Sequence, residues 1–298
     1  MAKIAIELNH ALARRRKCGT SGCATPRLIA SGDGWSVADV MCTSGPDDLP
    51  FDEQHSRYAI AIVLAGSFQY RSSNGGGLMT PGSLMLGNPG QCFECGHEHG
   101  HGDRCLSFWY ARDYFEQLAA DAGAHGTGVD FSVGRLPPLR VLSPLIARAI
   151  VAMASSGDTP WEEVSMSLAA RTLSLAARTS CHCTNPLPNA EARVTRTVRL
   201  IDRHPDATLT LSHLAQQAGL SRFHFLRTFE RLTGVTPHQY VLRARLREAA
   251  IRLAADSRPV LDIALDCGFG DVSNFNRAFR TEFGVGPREY RRRAGVLL

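Results

Sequence analysis

From Glu191 to its end the chain contains no lysine. Its positive charge there is all arginine, eighteen residues against eleven Asp plus Glu, a surplus of seven. Residues 1–190 hold the other fifteen basic and seventeen acidic side chains, a deficit of two, so the last third carries the whole excess behind the net charge of +5. A basic surface of this kind suits neutralisation of phosphate. The plainer alternative is a solvated basic face.

Long apolar runs are missing as well. No stretch of about 18 apolar residues is present to cross a bilayer. The start, MAKIAIELNHALARRRKC, has no apolar core ahead of a small-residue cleavage site, and its basic run follows the apolar part, the reverse of a secretion signal. A cytoplasmic protein is expected, with no membrane partner. Its nine cysteines then read as reduced thiols, or as metal or redox ligands, before they read as disulfides. No phosphate-binding glycine loop, GxSxG elbow or HExxH pair occurs, so no enzyme class gains support.

A chain of 298 residues has room for two domains. Residues 1–26 are polar and glycine- and serine-containing, and read as a mobile N-terminal arm. From Arg27 to Tyr110 short apolar runs alternate with turn residues. Trp35–Val40, Tyr58–Leu64, Gly66–Tyr70, Leu84–Leu86 and Leu106–Tyr110 are strand candidates, broken at Ser44-Gly-Pro46, Ser72–Gly77, Pro81-Gly82 and Asn88-Pro-Gly90. Many short strands with such punctuation predict an all-β barrel or sandwich. Two helices follow, Pro138–Ser155 and Pro160 to about Thr179, the second opened by proline and acids. Their apolar stripes fit packing on their own domain, or more sharply a subunit interface. Asn185-Pro-Leu-Pro-Asn189 is the most linker-like stretch. The expected organisation is an arm (1–26), a strand-rich domain (27–184), a linker (185–192) and a helical domain (193–298).

The helical part contains one pattern twice. Leu214-Ala215, Gly219, Phe225, Arg227, Phe229, Gly234-Val235, Pro237 and Tyr240 return as Ile263-Ala264, Gly268, Phe275, Arg277, Phe279, Gly284-Val285, Pro287 and Tyr290. The offset is 49 up to Gly219/Gly268 and 50 from Phe229/Phe279, so one residue was added within the turn region. A short helix, a tight turn at glycine and a second helix with an exposed arginine predict a helix-turn-helix. Thr210, Ser221, Thr236 and Asp271 are placed to cap helices at 211–218, 222–232, 237–255 and 272–283. The spacing leaves Arg222, Phe223, Leu226 and Arg227 facing outward on the first reading helix, and Val272, Ser273, Asn276 and Arg277 on the second. Such positions meet base edges in the major groove, where arginine can take guanine bidentately and an apolar group can meet a thymine methyl. The helix between the units is rich in Arg243, Arg245, Arg247 and Arg252. At about 1.5 Å per residue it spans nearly 30 Å, close to one turn of DNA.

On these residues the stretch 209–290 resembles the DNA-binding domain of the AraC (AraC/XylS) family of transcription regulators. The second unit carries the signature most fully: Ile263-Ala, Gly268-Phe, Asn274-Phe, Arg277-x-Phe279-Arg, Phe283-Gly, Gly286-Pro and Tyr290-Arg. Gly270 departs from it, since the family often has serine there. The resemblance implies an α+β protein: an N-terminal cupin-like β-barrel with two helices, then an all-α domain with two helix-turn-helix units. It implies double-stranded operator DNA as partner, a small-molecule effector at the N-terminal domain with no required cofactor, a homodimer, and contact with RNA polymerase.

One segment of the N-terminal half stands apart, Cys92-Phe-Glu-Cys95-Gly-His97-Glu-His99-Gly-His101-Gly-Asp-Arg-Cys105. Thiolate and imidazole suit zinc, copper or nickel, which makes Cys95, His97, His99 and Cys105 candidate ligands of a divalent transition metal and a metal- or thiol-responsive regulator the alternative function. The plainer reading is a glycine-rich loop with buried thiols. Cupin enzymes use a His-x-His pair too, but no matching downstream Glu and His appear in this chain. Cys18, Cys23 and Cys181-His182-Cys183 could join the cluster or stand apart, and Cys267 reads as core.

Overall fold

Tyr58–Leu64 is apolar at every position, with no polar face to offer water, and such a run demands a strand covered on both sides. The computed structural model, which describes residues 2–122, 129–154, 160–179 and 188–296, supplies both covers. The first half runs from helix α1 (Ala2–Cys18) through strands β1 (Ala24–Gly32), β2 (Trp35–Cys42), β3 (Phe51–Gln54), β4 (Tyr58–Gly66), β5 (Phe68–Ser72), β6 (Gly75–Met79), β7 (Leu84–Gly87), β8 (Cys92–Gly96) and β9 (Asp103–Tyr110). Helix α2 (Arg112–Asp121), the short strand β10 (Arg135–Leu136), and helices α3 (Ser143–Ala154) and α4 (Trp161–Ala176) follow.

The strands form two antiparallel sheets, ordered β1-β2-β9-β4-β7-β10 and β3-β8-β5-β6. Along β4 the pleat sends Tyr58, Ile60, Ile62 and Leu64 toward the helices, where they join Phe115, Ile146, Ile150 and Leu168 in the main core. Ala61 and Val63 point the other way and meet Phe68, Tyr70, Met79 and Phe93 of the second sheet. The sheets thus pack face to face, but each keeps its edges. The domain is an open sandwich, one of the two forms the strand pattern allows, and its sheets do not close into the barrel that the family resemblance implies. The stripes of α3 and α4, with Ile146, Ile150, Val164 and Leu168 in that core, cover this chain's own sheet.

Residues 1–26 are not a mobile arm over their described length. Leu8 and Leu12, one turn apart on α1, pack into the main core, Glu7 meets Arg104 at 2.6 Å and Arg15 meets Asp48 at 2.6 Å. The polar composition hid a narrow apolar seam and two ion pairs.

The second half is helical: α5 (Pro188–Arg203), α6 (Leu211–Gln217), α7 (Arg222–Thr233), α8 (Pro237–Ala255), α9 (Val260–Asp266), α10 (Val272–Phe283) and α11 (Pro287–Val296). Of the stretch expected as linker, positions 185–187 lie outside the described residues and the remainder opens α5, with Pro188 at its first turn where a missing N–H costs nothing. Cys181, His182 and Cys183 also lie outside them. Phe225 and Phe229 build one helical core with Tyr240, and Phe275 and Phe279 build the other with Leu246 and Leu253.

The arginines of α8 turn inward, against the expectation that the charge of this half serves phosphate. Arg245 donates to the carbonyls of Pro205 and Ala207 at 2.7 and 2.8 Å, Arg252 pairs with Glu248 at 2.7 Å, and Arg247 is buried. Arg243 reaches across to the first half and donates to the Pro138 carbonyl at 2.6 Å. Arg135 answers from β10 with a bond to the Thr233 carbonyl at 2.8 Å, and Ser143 of α3 bonds to Glu282 of α10.

Asp202 of α5 accepts the Tyr240 hydroxyl at 3.2 Å on each oxygen. Burial pushes its carboxyl up to about 7, against the pull of Arg247 and the tyrosine bond. Because the folded value lies above the ordinary 3.8, folding favours the protonated acid, and this contribution fades as pH rises from about 4 through 7. Asp202→Asn mimics the protonated state. Its melting temperature relative to the parent chain should rise across that window and level off above it; a difference that does not vary with pH would remove this assignment.

Candidate nucleic-acid interface

Each helix-turn-helix is fixed by local chemistry read directly from its residues. Thr210 Oγ1 accepts the His213 N–H at 3.2 Å, Ser221 Oγ accepts that of His224 at 3.3 Å and Asp271 Oδ1 accepts that of Asn274 at 2.7 Å. Thr236 and Gln239 form a reciprocal capping box at the start of α8. The turns use Gly219 at φ +62° and Gly268 at φ +83°, where a side chain is disfavoured. At Gly268 a Cβ would also lie 2.6 Å from the Asp206 carbonyl oxygen. Gly270, the departure from the family pattern, stands in open space, and Asp271 keeps the cap.

With Phe225, Phe229, Phe275 and Phe279 buried, the opposite faces of α7 and α10 are left to solvent. Arg222, Phe223 and Arg227 are exposed and Leu226 is half-buried; Ser273, Asn276 and Arg277 are exposed and Val272 is half-buried. Phe223 is 70% exposed, the most exposed phenylalanine, tyrosine or tryptophan among the described residues. Arg227 lies over it at 5.7 Å from the ring centroid. Arg277 donates to Asn274 Oδ1 at 3.2 Å. The residue one turn back therefore steadies each arginine on its face. Asn274 in this role, and the exposed His224 at the matching place on α7, were not singled out from the sequence. The i, i+3 spacing of Asn274 and Arg277 was the available signal. Arg231 and Arg280 extend the two faces by a further turn.

The cysteine–histidine segment is not gathered as the sequence suggested. In a strand, residues three apart point to opposite faces, and Cys92 of β8 is exposed while Cys95 is buried. His97 turns to Asp103, with Nε2 and Oδ2 at 2.7 Å. Burial opposes its charged form, but the Asp103 carboxylate and Cys42 outweigh that and push it up to about 9. The Cys105 thiol donates to the other Asp103 oxygen at 3.3 Å. His99 points elsewhere, to a cleft shared with Arg196 and Arg199 of α5. Cys95, His97, His99 and Cys105 do not surround one point. Burial raises the Cys95 and Cys105 thiols well above the usual range, with Asp103 adding to it, so neither is a ready thiolate. Cys18 and Cys23 are exposed and Cys267 is buried core.

No described helix is long and apolar enough to cross a membrane. Residues 214–293 match a family profile described as a helix-turn-helix domain. The regulatory protein SoxS of Salmonella typhimurium is 36% identical over 96 residues, 32% of this chain and 90% of SoxS. The right origin-binding protein of Escherichia coli is 38% identical over 92 residues, 31% of this chain and 32% of that protein. Among solved structures, a transcriptional regulator of Chromobacterium violaceum titled as AraC-type DNA-binding domain-containing is 29% identical, covering 36% of this chain and 96% of its own, with a TM-score of 0.34. The double motif, its caps and these sequence matches agree, and the chain belongs to the AraC/XylS family of DNA-binding transcription regulators.

Proposed function

We propose that this regulator reads an operator with both units at once and is switched by a small molecule at its N-terminal half. The carrying observation is the pair of exposed faces on α7 and α10, held at opposite ends of one rigid helix. Arg222, Phe223, Leu226 and Arg227 would enter one major groove, and Val272, Ser273, Asn276 and Arg277 the next. Helix α8 has 19 residues and so spans about 28 Å, close to the ~34 Å between successive groove faces.

The effector reading draws support from a cleft of about 730 Å³ between α1, the end of β4 and the helices α5 and α8, a size that suits a small organic ligand. Leu8, Leu12 and Ala244 give it apolar walls, and Arg15, Arg199 and Arg252 give it charge. The open sandwich serves in this reading as the cupin-like sensor domain, residues 27–184, ahead of a DNA-binding unit at 193–298. A homodimer that recruits RNA polymerase in the cytoplasm completes the proposal.

Two measurements test the DNA-reading half. Arg227→Ala and Arg277→Ala should each lose about 1–3 kcal/mol of specific binding and relax preference at different base pairs. Equal small losses on every sequence would show that both touch only phosphate. Affinity of the full chain for duplex DNA should fall steeply as salt rises. With the α8 arginines engaged internally, Arg245→Gln should leave that salt slope unchanged, and a shallower slope would return that residue to the phosphate surface.

A further inference from the structure

Cys42 ends β2, Asp103 opens β9, and the two are partners across the strands. His97 follows β8 of the opposite sheet. The Cys42 sulfur, a ring nitrogen of His97 and a carboxylate oxygen of Asp103 all lie within 4.8 Å of one another. All three residues are buried, at 3, 4 and 5% exposure. One thiolate, one imidazole and one carboxylate form a donor set for a tetrahedral ion of the zinc class; calcium and magnesium would call for oxygens alone. His97 Nε2 stands 2.7 Å from Asp103 Oδ2, so an ion between them would take the place of the proton that the two now share. Cys105 steadies the carboxylate from behind through its bond to Asp103 Oδ1, as groups around a metal's ligands commonly do. The same residue types serve thiol catalysis, but a sulfur this deeply buried meets no substrate.

We propose that Cys42, His97 and Asp103 hold one zinc-class divalent ion that ties the two sheets of the N-terminal domain together. Binding requires the Cys42 thiol to ionise and displaces the proton shared by His97 and Asp103, so uptake of the ion releases protons to solvent.

The test is a cobalt titration of the full chain, purified without a histidine tag, stripped with chelator and kept reduced without thiol reagents. One equivalent of Co²⁺ should give a thiolate-to-cobalt charge-transfer band and the d–d spectrum of a tetrahedral site. Zinc should displace it, and the melting temperature should rise with either metal. Cys42→Ser should abolish the charge-transfer band, whereas Cys92→Ser, at an exposed thiol, should leave it. Absence of the band at stoichiometric cobalt, or its survival in Cys42→Ser, overturns the site. If Cys42→Ser does not fold, the near-isosteric Asp103→Asn decides: a loss of cobalt affinity beyond the roughly 10–100-fold typical of an outer partner supports direct ligation, and a smaller loss or none ends it.

Discussion

Helix α8 cannot move alone, and most of the molecule's geometry follows from that. Tyr240, Val241 and Ala244 from its first half belong to one helical core. Leu246, Ala249, Ala250 and Leu253 from its second half belong to the other. Between them Arg243 reaches the Pro138 carbonyl and stands 3.5 Å from Glu282 of α10. A rotation of α8 would have to break both cores and expose a buried carboxylate, an outcome that close packing and the cost of an unpaired buried charge both resist. The separation of the two reading helices is therefore a property of one helix, and the N-terminal half holds that helix directly.

This arrangement changes the meaning of the charge surplus. Seven excess positive charges after position 190 suggest one broad surface for phosphate. Arg243 and Arg245 instead spend guanidinium donors on main-chain carbonyls, which planar five-donor groups satisfy better than lysine would. The absence of lysine in this half fits that use. The arginines of α8 are thereby withdrawn from the phosphate surface, while those on the outer faces of α7 and α10 stay exposed. Leu78 from the first half joins one helical core and Ala147 joins the other, so the two halves share packing as well as hydrogen bonds. A ligand in the cleft beside Ala244 and Glu248 would act on packing that both halves use.

Legibility in the sequence followed the range of the forces involved. Caps, turn glycines and the i, i+4 phenylalanines act within a few residues, and Thr210, Ser221, Thr236 and Asp271 all cap as expected. Strands buried on both faces were legible as well, Tyr58–Leu64 above all. Edge strands were not. β1 is almost wholly exposed and β6 reads Gly-Gly-Gly-Leu-Met, so neither shows the alternation that marks a half-buried strand. The metal-ligand spacing failed for a related reason. Cys-x-x-Cys converges in a turn but diverges in a pleated strand, and the partner that matters, Cys42, lies 55 positions before His97. The pairing of β2 with β9 sets it beside Asp103, and the packing of the second sheet on the first brings His97 to both.

The two reading faces differ in chemistry although their frames repeat. Aligned on Phe225 and Phe275, Phe223 corresponds to Ser273, Leu226 to Asn276 and Arg222 to Val272, while Arg227 and Arg277 coincide. The first face offers a ring and an aliphatic group beside its arginine, suited to thymine methyls; the second offers a hydroxyl and an amide, suited to hydrogen-bonding base edges. Symmetric half-sites would waste that difference, because each unit would meet bases suited to the other. On the proposed reading a monomer recognises two unlike short sites one helical turn apart, and the order of the sites sets its direction on the DNA. Direction matters here because α3 and β10 fix the N-terminal half to one side of the pair, through Ser143 to Glu282 and Arg135 to Thr233. The operator's polarity then decides which way the sensor domain faces along the duplex.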